Sequence, residues 1–372
     1  MLLKQLFNCK NINNGRQHAF DLCRTISILL MILCHVSYTM KSTEYSMLNL
    51  SFIAHNAVRF LGAQFFMFSM GMGLVYSRHD SVGYYVKRGY ILLFSGYMLN
   101  FLCLVLPSMV VGKSLVFGET FVSNNFLLLL GCDILQFAGL AFLFFAIVKH
   151  FKLSDMTIFV ITLCITAIGA FCTNKFSLTL TPEHFYYSFF GLLIPVKNFT
   201  ISEYICFSFS NWIIYPVAGW VFGKWLKRCL DLDKFYLYLL KISLPLFLLT
   251  CVVFNLMGKN IWLTLMDPVV YHQQNPLILV VYMDIIMIAL SLSHFLSVHL
   301  IKFKIWKIIK HLSTELPTLY FISWVVIGWL SAGLKYTNTV LIENGSNMFL
   351  VFVIVFAFSE IYIILKNKYK KS

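Results

Sequence analysis

Apolar runs of about 20 residues, the length a helix needs to cross a bilayer, alternate along this chain with short polar or basic stretches. Such runs fall at 19–40, 52–76, 89–107, 125–148, 156–172, 204–223, 235–257, 276–298, 316–334 and 347–365. The pattern predicts an all-α, polytopic integral membrane protein of about ten transmembrane helices, with residues 1–372 forming a single transmembrane domain. No soluble domain, internal repeat or low-complexity tract interrupts it. The longest predicted outer loops are 173–203 and 258–275, where His184, Tyr186, Tyr187, Trp262, Asp267, Tyr271 and His272 form either a grip for an external substrate or an ordinary interfacial aromatic belt.

The polar positions inside the apolar runs carry the chemical information. The first run, AFDLCRTISILLMILCHVSYTM, keeps Asp21, Arg24 and His35. Each costs roughly 2.5 to 3.5 kcal/mol on insertion scales, so their retention needs a reason. Eleven residues separate Arg24 from His35, which places them about 20° apart around a helix and roughly 16 Å apart along it. Asp21 lies within about 60° of both. One face of the first helix therefore presents an arginine near one membrane surface and a histidine about half a bilayer deeper.

Later runs carry weaker versions of the same signal. The second has His55 and Arg59 one turn apart and ends with Gly71 and Gly73, a turn that lets a neighbouring backbone approach closely. The fourth carries Asp133 and Gln136, the aspartate reading either as an ion-pair partner for Arg59 or as a group that orients an imidazole. The sixth begins Asn211, Trp212, Pro216 and continues to Gly219 and Gly223. The eighth holds Asp284 and His294, the latter read as a polar group satisfied by a neighbouring helix, and Ser313, Thr314 and Glu315 read as the start of the ninth.

Composition agrees with this picture and narrows it. Residues are 59% hydrophobic and 12% charged, with a mean hydropathy of +0.80, against about 25% charged in soluble domains. The 29 Lys and Arg against 15 Asp and Glu do not point to nucleic acid, because no soluble surface gathers them. They sort instead by loop: 20 fall in one set of alternate segments and 6 in the other. Basic residues concentrate on the cytoplasmic side, so both termini are expected inside the cell. Lys4, Lys10 and Arg16 precede the first run as in a signal peptide, but no small-residue cleavage site follows, which predicts a retained helix. The ten cysteines show no CxxC and no paired spacing, so they read as small buried hydrophobes, with no metal site predicted. Abundant Lys, Asn, Ile and Phe suggest an AT-rich genome and a bacterial cytoplasmic (inner) membrane.

The link after the second run, RHDSVGYYVKRG, supplies Arg78, His79, Lys87 and Arg88 at Arg24's end of the membrane. Such a cluster holds either a polyanionic ligand or anionic lipid headgroups.

Taken together these stretches resemble a family. DLCRTISILLMILCH is similar to the first-helix signature of the transmembrane acyltransferases, in which ten residues separate an arginine from a histidine. That group includes the acyltransferase family 3 proteins and the catalytic domain of heparan-α-glucosaminide N-acetyltransferase. FFMFSMGMGLVYS, followed by Tyr85, Lys87 and Arg88, resembles the family's second helix and basic segment. DILQFAGLAFL resembles the fourth helix of the heparan-type branch, and Asn211, Trp212, Gly219, Gly223 and Lys224 resemble its later helix. The likeness covers most of residues 16–228. Thr25 and Asp133 stand where the family pattern has glycine, and Asn211 where it has proline.

The resemblance implies transfer of an acyl group, usually acetyl, from cytosolic acyl-CoA to a hydroxyl or amine of a glycan or glycolipid across the membrane. No cofactor is expected to be permanently bound; acetyl-CoA or another acyl-CoA is the co-substrate, and membrane lipids surround the protein. In that reading Arg24, Arg88 and Lys87 hold the donor's phosphates. His35 is the general base, or forms a covalent acyl-histidine, while Asp21 orients Arg24 one turn away. His55, Arg59, Asp133 and Gln136 contact the acceptor or support the base. Two readings of other classes stand beside it. A secondary transporter or glycolipid flippase would line a solute path with the same buried charges, although paired interrupted helices in corresponding halves are absent from the sequence. A non-catalytic membrane partner would use the charges only to hold helices together.

Overall fold

The computed structural model describes residues 6–39, 61–111, 125–175, 193, 207–267, 270–271, 274–337 and 345–369. His55, Arg59, His184, Tyr186, Tyr187 and His272 lie outside them. The described residues contain helices and connecting turns and no strand.

A helix lies within each of the ten predicted stretches. The first is α1, His18–Thr39, and the second contains α2, Ala63–Tyr76. The third is longer than its apolar window: α3, Val82–Asn100, runs through a π-helical turn at Phe101–Val105 into α4, Leu106–Val111. Pro107 lacks an N–H, and a wider turn just before it absorbs the missing bond. The fourth is broken into α5, Asn125–Leu130, and α6, Ile134–His150. Then come α7, Asp155–Lys175; α8, Phe209–Trp212; α9, Ile214–Arg228; and α10, Leu232–Leu256. A short α11, Ile261–Met266, precedes α12, Pro276–Leu300, α13, Ile305–Thr337, and α14, Gly345–Tyr369. The ninth helix thus starts eight residues before Ser313, which is an interior residue and not a start signal. Its hydroxyl instead reaches the Asp21 carboxylate at 2.7 Å.

Among the described residues, six helical stretches are long and apolar enough to cross a membrane: His18–Ser37, Val82–Val111, Leu232–Leu256, Pro276–Leu300, Ile305–Leu334 and Met348–Tyr369. Their outward faces are greasy. Leu248 and Leu249 on α10, Leu292 on α12, and Phe349 and Ile364 on α14 are more than half exposed, as side chains facing lipid are expected to be. Asp231 caps α10 at the polar edge, where the Lys234 backbone N–H holds its carboxyl below the usual carboxylate range.

At the centre is α1, which packs against α2, α12, α13 and α14. Small residues let its neighbours cross closely. A Cβ on Gly71 of α2 would sit 1.8 Å from the Pro216 carbonyl oxygen of α9, and one on Gly219 of α9 only 1.9 Å from the Phe68 carbonyl oxygen. Gly89 and Gly139 bring α3 and α6 together in the same way, each meeting the other's backbone oxygen. Gly328 of α13 lies against the Cys103 carbonyl of the π turn. At one end of the bundle the segment before α1 straps across α9's C-terminus, with Asn8 N–H bonding the Arg228 carbonyl at 2.8 Å and Leu230 N–H the Leu6 carbonyl at 2.9 Å.

Contacts this close leave no room for a methyl group, and overpacking costs on the order of 1–3 kcal/mol. Gly71→Ala is therefore expected to lower the melting temperature in detergent and the monodisperse fraction in size exclusion. Gly83→Ala, with nothing within 4 Å of its added Cβ, is expected to leave both unchanged.

Candidate functional site

Three polar side chains of α1 are each taken up by residues outside the helix. Arg24 Nη2 donates to the Ser69 carbonyl of α2 at 2.9 Å. A Cβ on Gly73 would stand 3.3 Å from the same nitrogen, so the glycine turn at the end of α2 forms the guanidinium's bed. A side chain at 73 would crowd the guanidinium by a few tenths of an ångström, while one at 71 would collide with the backbone of α9.

Asp21, only 4% exposed, makes a two-pronged pair with Arg16, Nε to Oδ2 at 2.5 Å and Nη2 to Oδ1 at 3.0 Å. The Ser313 hydroxyl donates to it as well; among the described residues no hydrogen bond joins Asp21 to Arg24, whose charge it meets only at longer range. Helical Cα–Cβ bonds tilt toward the N-terminus, which aims Asp21 at the residues before the helix and away from Arg24 one turn on. Arg16 also reaches Thr314 and the Lys310 carbonyl of α13. Asp21 thus fastens the strap, α1 and α13 together.

His35 meets α13 as well. Its ring lies 4.1 Å from the Trp324 ring, centroid to centroid, at an interplanar angle of 34°. One turn earlier on α13, Tyr320 approaches Phe66 of α2 at 6.2 Å. Arg24 and His35 are thus each in contact with a neighbouring helix, α2 for the first and α13 for the second, and Phe66 and Tyr320 approach each other between those two helices.

Asp133 reaches this cluster from another side. It is the N-cap of α6, its carboxylate accepting from Ile134 N–H at 2.7 Å, with Gln136 returning a bond to the Asp133 N–H at 3.1 Å. This capping box is why the fourth stretch breaks at 131–133. Asn100 of α3 spans the break by donating to the Leu129 and Gly131 carbonyls, and Gln136 donates to Gly131 as well. The other oxygen of Asp133 accepts the Tyr320 hydroxyl at 2.5 Å. Asp133 and Gln136 are thus linked to His35 through two aromatic residues one turn apart on α13. Sequence reasoning missed Tyr320 and Trp324; their i, i+4 spacing in an apolar run was the available signal, and it is also the spacing of ordinary packing.

Of the basic residues after α2, Lys87 and Arg78 are exposed and Arg88 half-buried. Among the described residues none of the three has an acidic partner in ion-pair contact. Nearby Asp80 pairs with Lys149 and accepts the hydroxyl of buried Tyr85. Lys224 pairs with Asp155 and lies 4.8 Å from the Trp220 ring, so it ties α9 to α7. His294 is satisfied as expected, by Asp233 at 2.7 Å and by stacking on Tyr236.

Residues 16–241 match the family model for heparan-alpha-glucosaminide N-acetyltransferase, catalytic. The match takes in α1 to α9 and the first residues of α10 and stops before α13. No curated protein and no solved structure matches the chain.

The cap and the Tyr320 contact make a testable distinction. Asp133→Ala removes the cap, worth about 0.5–2 kcal/mol, and strips the Tyr320 hydroxyl of its acceptor. It is expected to lower the unfolding midpoint in a detergent titration. Asp133→Asn, whose one amide oxygen still caps while its NH2 donates to the Tyr320 hydroxyl oxygen, is expected to recover most of that loss.

Proposed function

The chain belongs to the heparan-α-glucosaminide N-acetyltransferase catalytic family, and from that premise we propose that it moves an acetyl group from cytosolic acyl-CoA to a hydroxyl or amine of a cell-envelope glycan. It is a membrane acetyltransferase by family. In our reading both termini and Arg24's end of α1 face the cytoplasm of a bacterial cell, and His35 lies toward the outer side.

The observation that carries the proposal is how Arg24 and His35 of α1 are held. Arg24 is held against α2 and His35 against α13, with Phe66 and Tyr320 meeting between those two helices. Arginine's planar fork suits phosphate, and Lys87 and Arg88 add positive charge at the mouth where an anionic nucleotide would enter. The roughly 16 Å from Arg24 to His35 is of the order a pantetheine arm spans, so a donor anchored at one brings its thioester to the other.

At His35 a neutral imidazole nitrogen takes the proton from the acceptor O–H or N–H as that oxygen or nitrogen attacks the thioester carbonyl carbon. A tetrahedral species forms and collapses. The C–S bond breaks, the CoA sulfur leaves with the electron pair, and the imidazolium returns the proton to it. Nothing is oxidised or reduced. Asp21 serves this site at one remove by fixing Arg16 and α13 relative to α1.

Purified protein given labelled acetyl-CoA and an envelope glycan fraction is expected to transfer label, and His35→Ala to abolish transfer while the protein stays monodisperse. Undiminished transfer by that variant would remove His35 from the mechanism. Uptake of solute into sealed vesicles without acyl-CoA would favour the transporter reading. Arg24→Ala is expected to raise KM for acetyl-CoA; a change confined to the acceptor's KM would overturn the phosphate assignment.

A further inference from the structure

We propose that Trp324 is a positioning residue for His35, acting through ring contact, and that Tyr320 and Gly328 fix it in place. This rests on the reading of His35 as the base. Both aromatic residues lie beyond the region that matches the family, so nothing in the match assigns them a role.

A histidine that must take a proton from an incoming acceptor needs a defined ring orientation. The last torsion of its side chain is broad and roughly two-fold, and does not supply one by itself. A hydrogen bond would fix the ring by engaging a nitrogen. An aromatic ring lying against the imidazole restricts its plane through ring contact, whatever the nitrogens bond to. The His35 and Trp324 rings are in such contact, 4.1 Å between centroids with their planes tilted 34° apart.

The indole orients only if it is itself held, and α13 holds it from both sides. One turn before it, Tyr320 is 2% exposed and bonded to Asp133, which the capping box fixes in turn. One turn after it, Gly328 lies so close to the Cys103 carbonyl that a Cβ would stand 2.1 Å from the oxygen. Nearer the start of α13, the Thr25 hydroxyl bonds the Ile309 carbonyl at 3.0 Å and Ser313 bonds Asp21, which locks the register of α13 against α1. Trp324 therefore sits between two anchored turns, opposite the base.

A purely packing role and a positioning role predict different kinetics. Trp324→Leu keeps apolar bulk and loses the ring face; Trp324→Phe keeps a face. Both are to be checked for an unchanged melting temperature and a monodisperse profile. With the glycan fraction saturating, Trp324→Leu is expected to lower kcat by about 10²-fold, the scale of a 1 Å misplacement, with KM for acetyl-CoA unchanged. Trp324→Phe is expected to restore most of kcat. Equal kcat for the two variants, or a change in KM alone, would overturn the proposal. Should Trp324→Leu fail to fold, Trp324→Phe combined with Tyr320→Phe, which cuts the tie to Asp133 and keeps both rings, is expected to show a lower kcat than Trp324→Phe; equal values would overturn the proposal. If His35→Ala itself retained transfer, the proposed function would fall first; if His35→Ala is dead and Trp324→Leu is fully active, only the present inference falls.

Discussion

A charged side chain placed among apolar helices must find polar partners there, because the membrane interior offers no water to replace them. Much of the bundle's arrangement around α1 follows from that one requirement. Arg24 is met by a backbone carbonyl of α2, and a glycine makes room for its fork. Asp21 is met by Arg16 and by Ser313 of α13. Each solution joins α1 to a different element, so the polar residues that look like defects in an apolar sequence are the points at which helices are registered. A non-catalytic partner protein would need such ties as well. The family match, and not these ties, is what marks the chain as an acetyltransferase.

The breaks in the helices obey the same rule. Interrupting a helix at membrane depth frees backbone carbonyls that lipid cannot satisfy, so breaks are tolerated only where protein groups repair them. At 131–133 the repair is made by Asn100, Gln136 and Asp133, all side chains. Gln136 can do this because Gly96 faces it; a Cβ there would stand 2.6 Å from the amide carbon. The break sets Asp133 at the head of α6 with one oxygen directed to Tyr320. An irregular stretch of backbone and the aromatic turn beside His35 are thus parts of one construction.

Much of this was legible in the sequence because membrane helices announce themselves by composition. The apolar windows located helices, and helical periodicity alone put Arg24 and His35 on one face. The family was legible from the spacing of those two residues with the later motifs. What escaped were matters decided between helices. DILQ read as helix interior because its residues are apolar or family-like, although Asp followed three residues later by Gln is also a start signal. Ser-Thr-Glu read as a start signal, and it lies inside α13, because a polar triplet facing Asp21 and Lys366 of α14 looks the same as a cap. Asp21 was assigned to Arg24 by nearness along the helix; the tilt of its Cβ gave it to Arg16.

The division of labour between helix and bundle bears on how the site keeps its dimensions. Arg24 and His35 belong to one uninterrupted helix, so their separation is set by the rise per residue and does not depend on how the bundle packs. Their directions do depend on packing, since each side chain is turned by a different neighbour, α2 for the arginine and α13 for the histidine. Distance is therefore robust and orientation adjustable. The helix that meets the arginine lies inside the matched region, and α13, which meets the histidine, lies beyond it. The orientation of the histidine therefore depends on a part of the chain that the family match does not include.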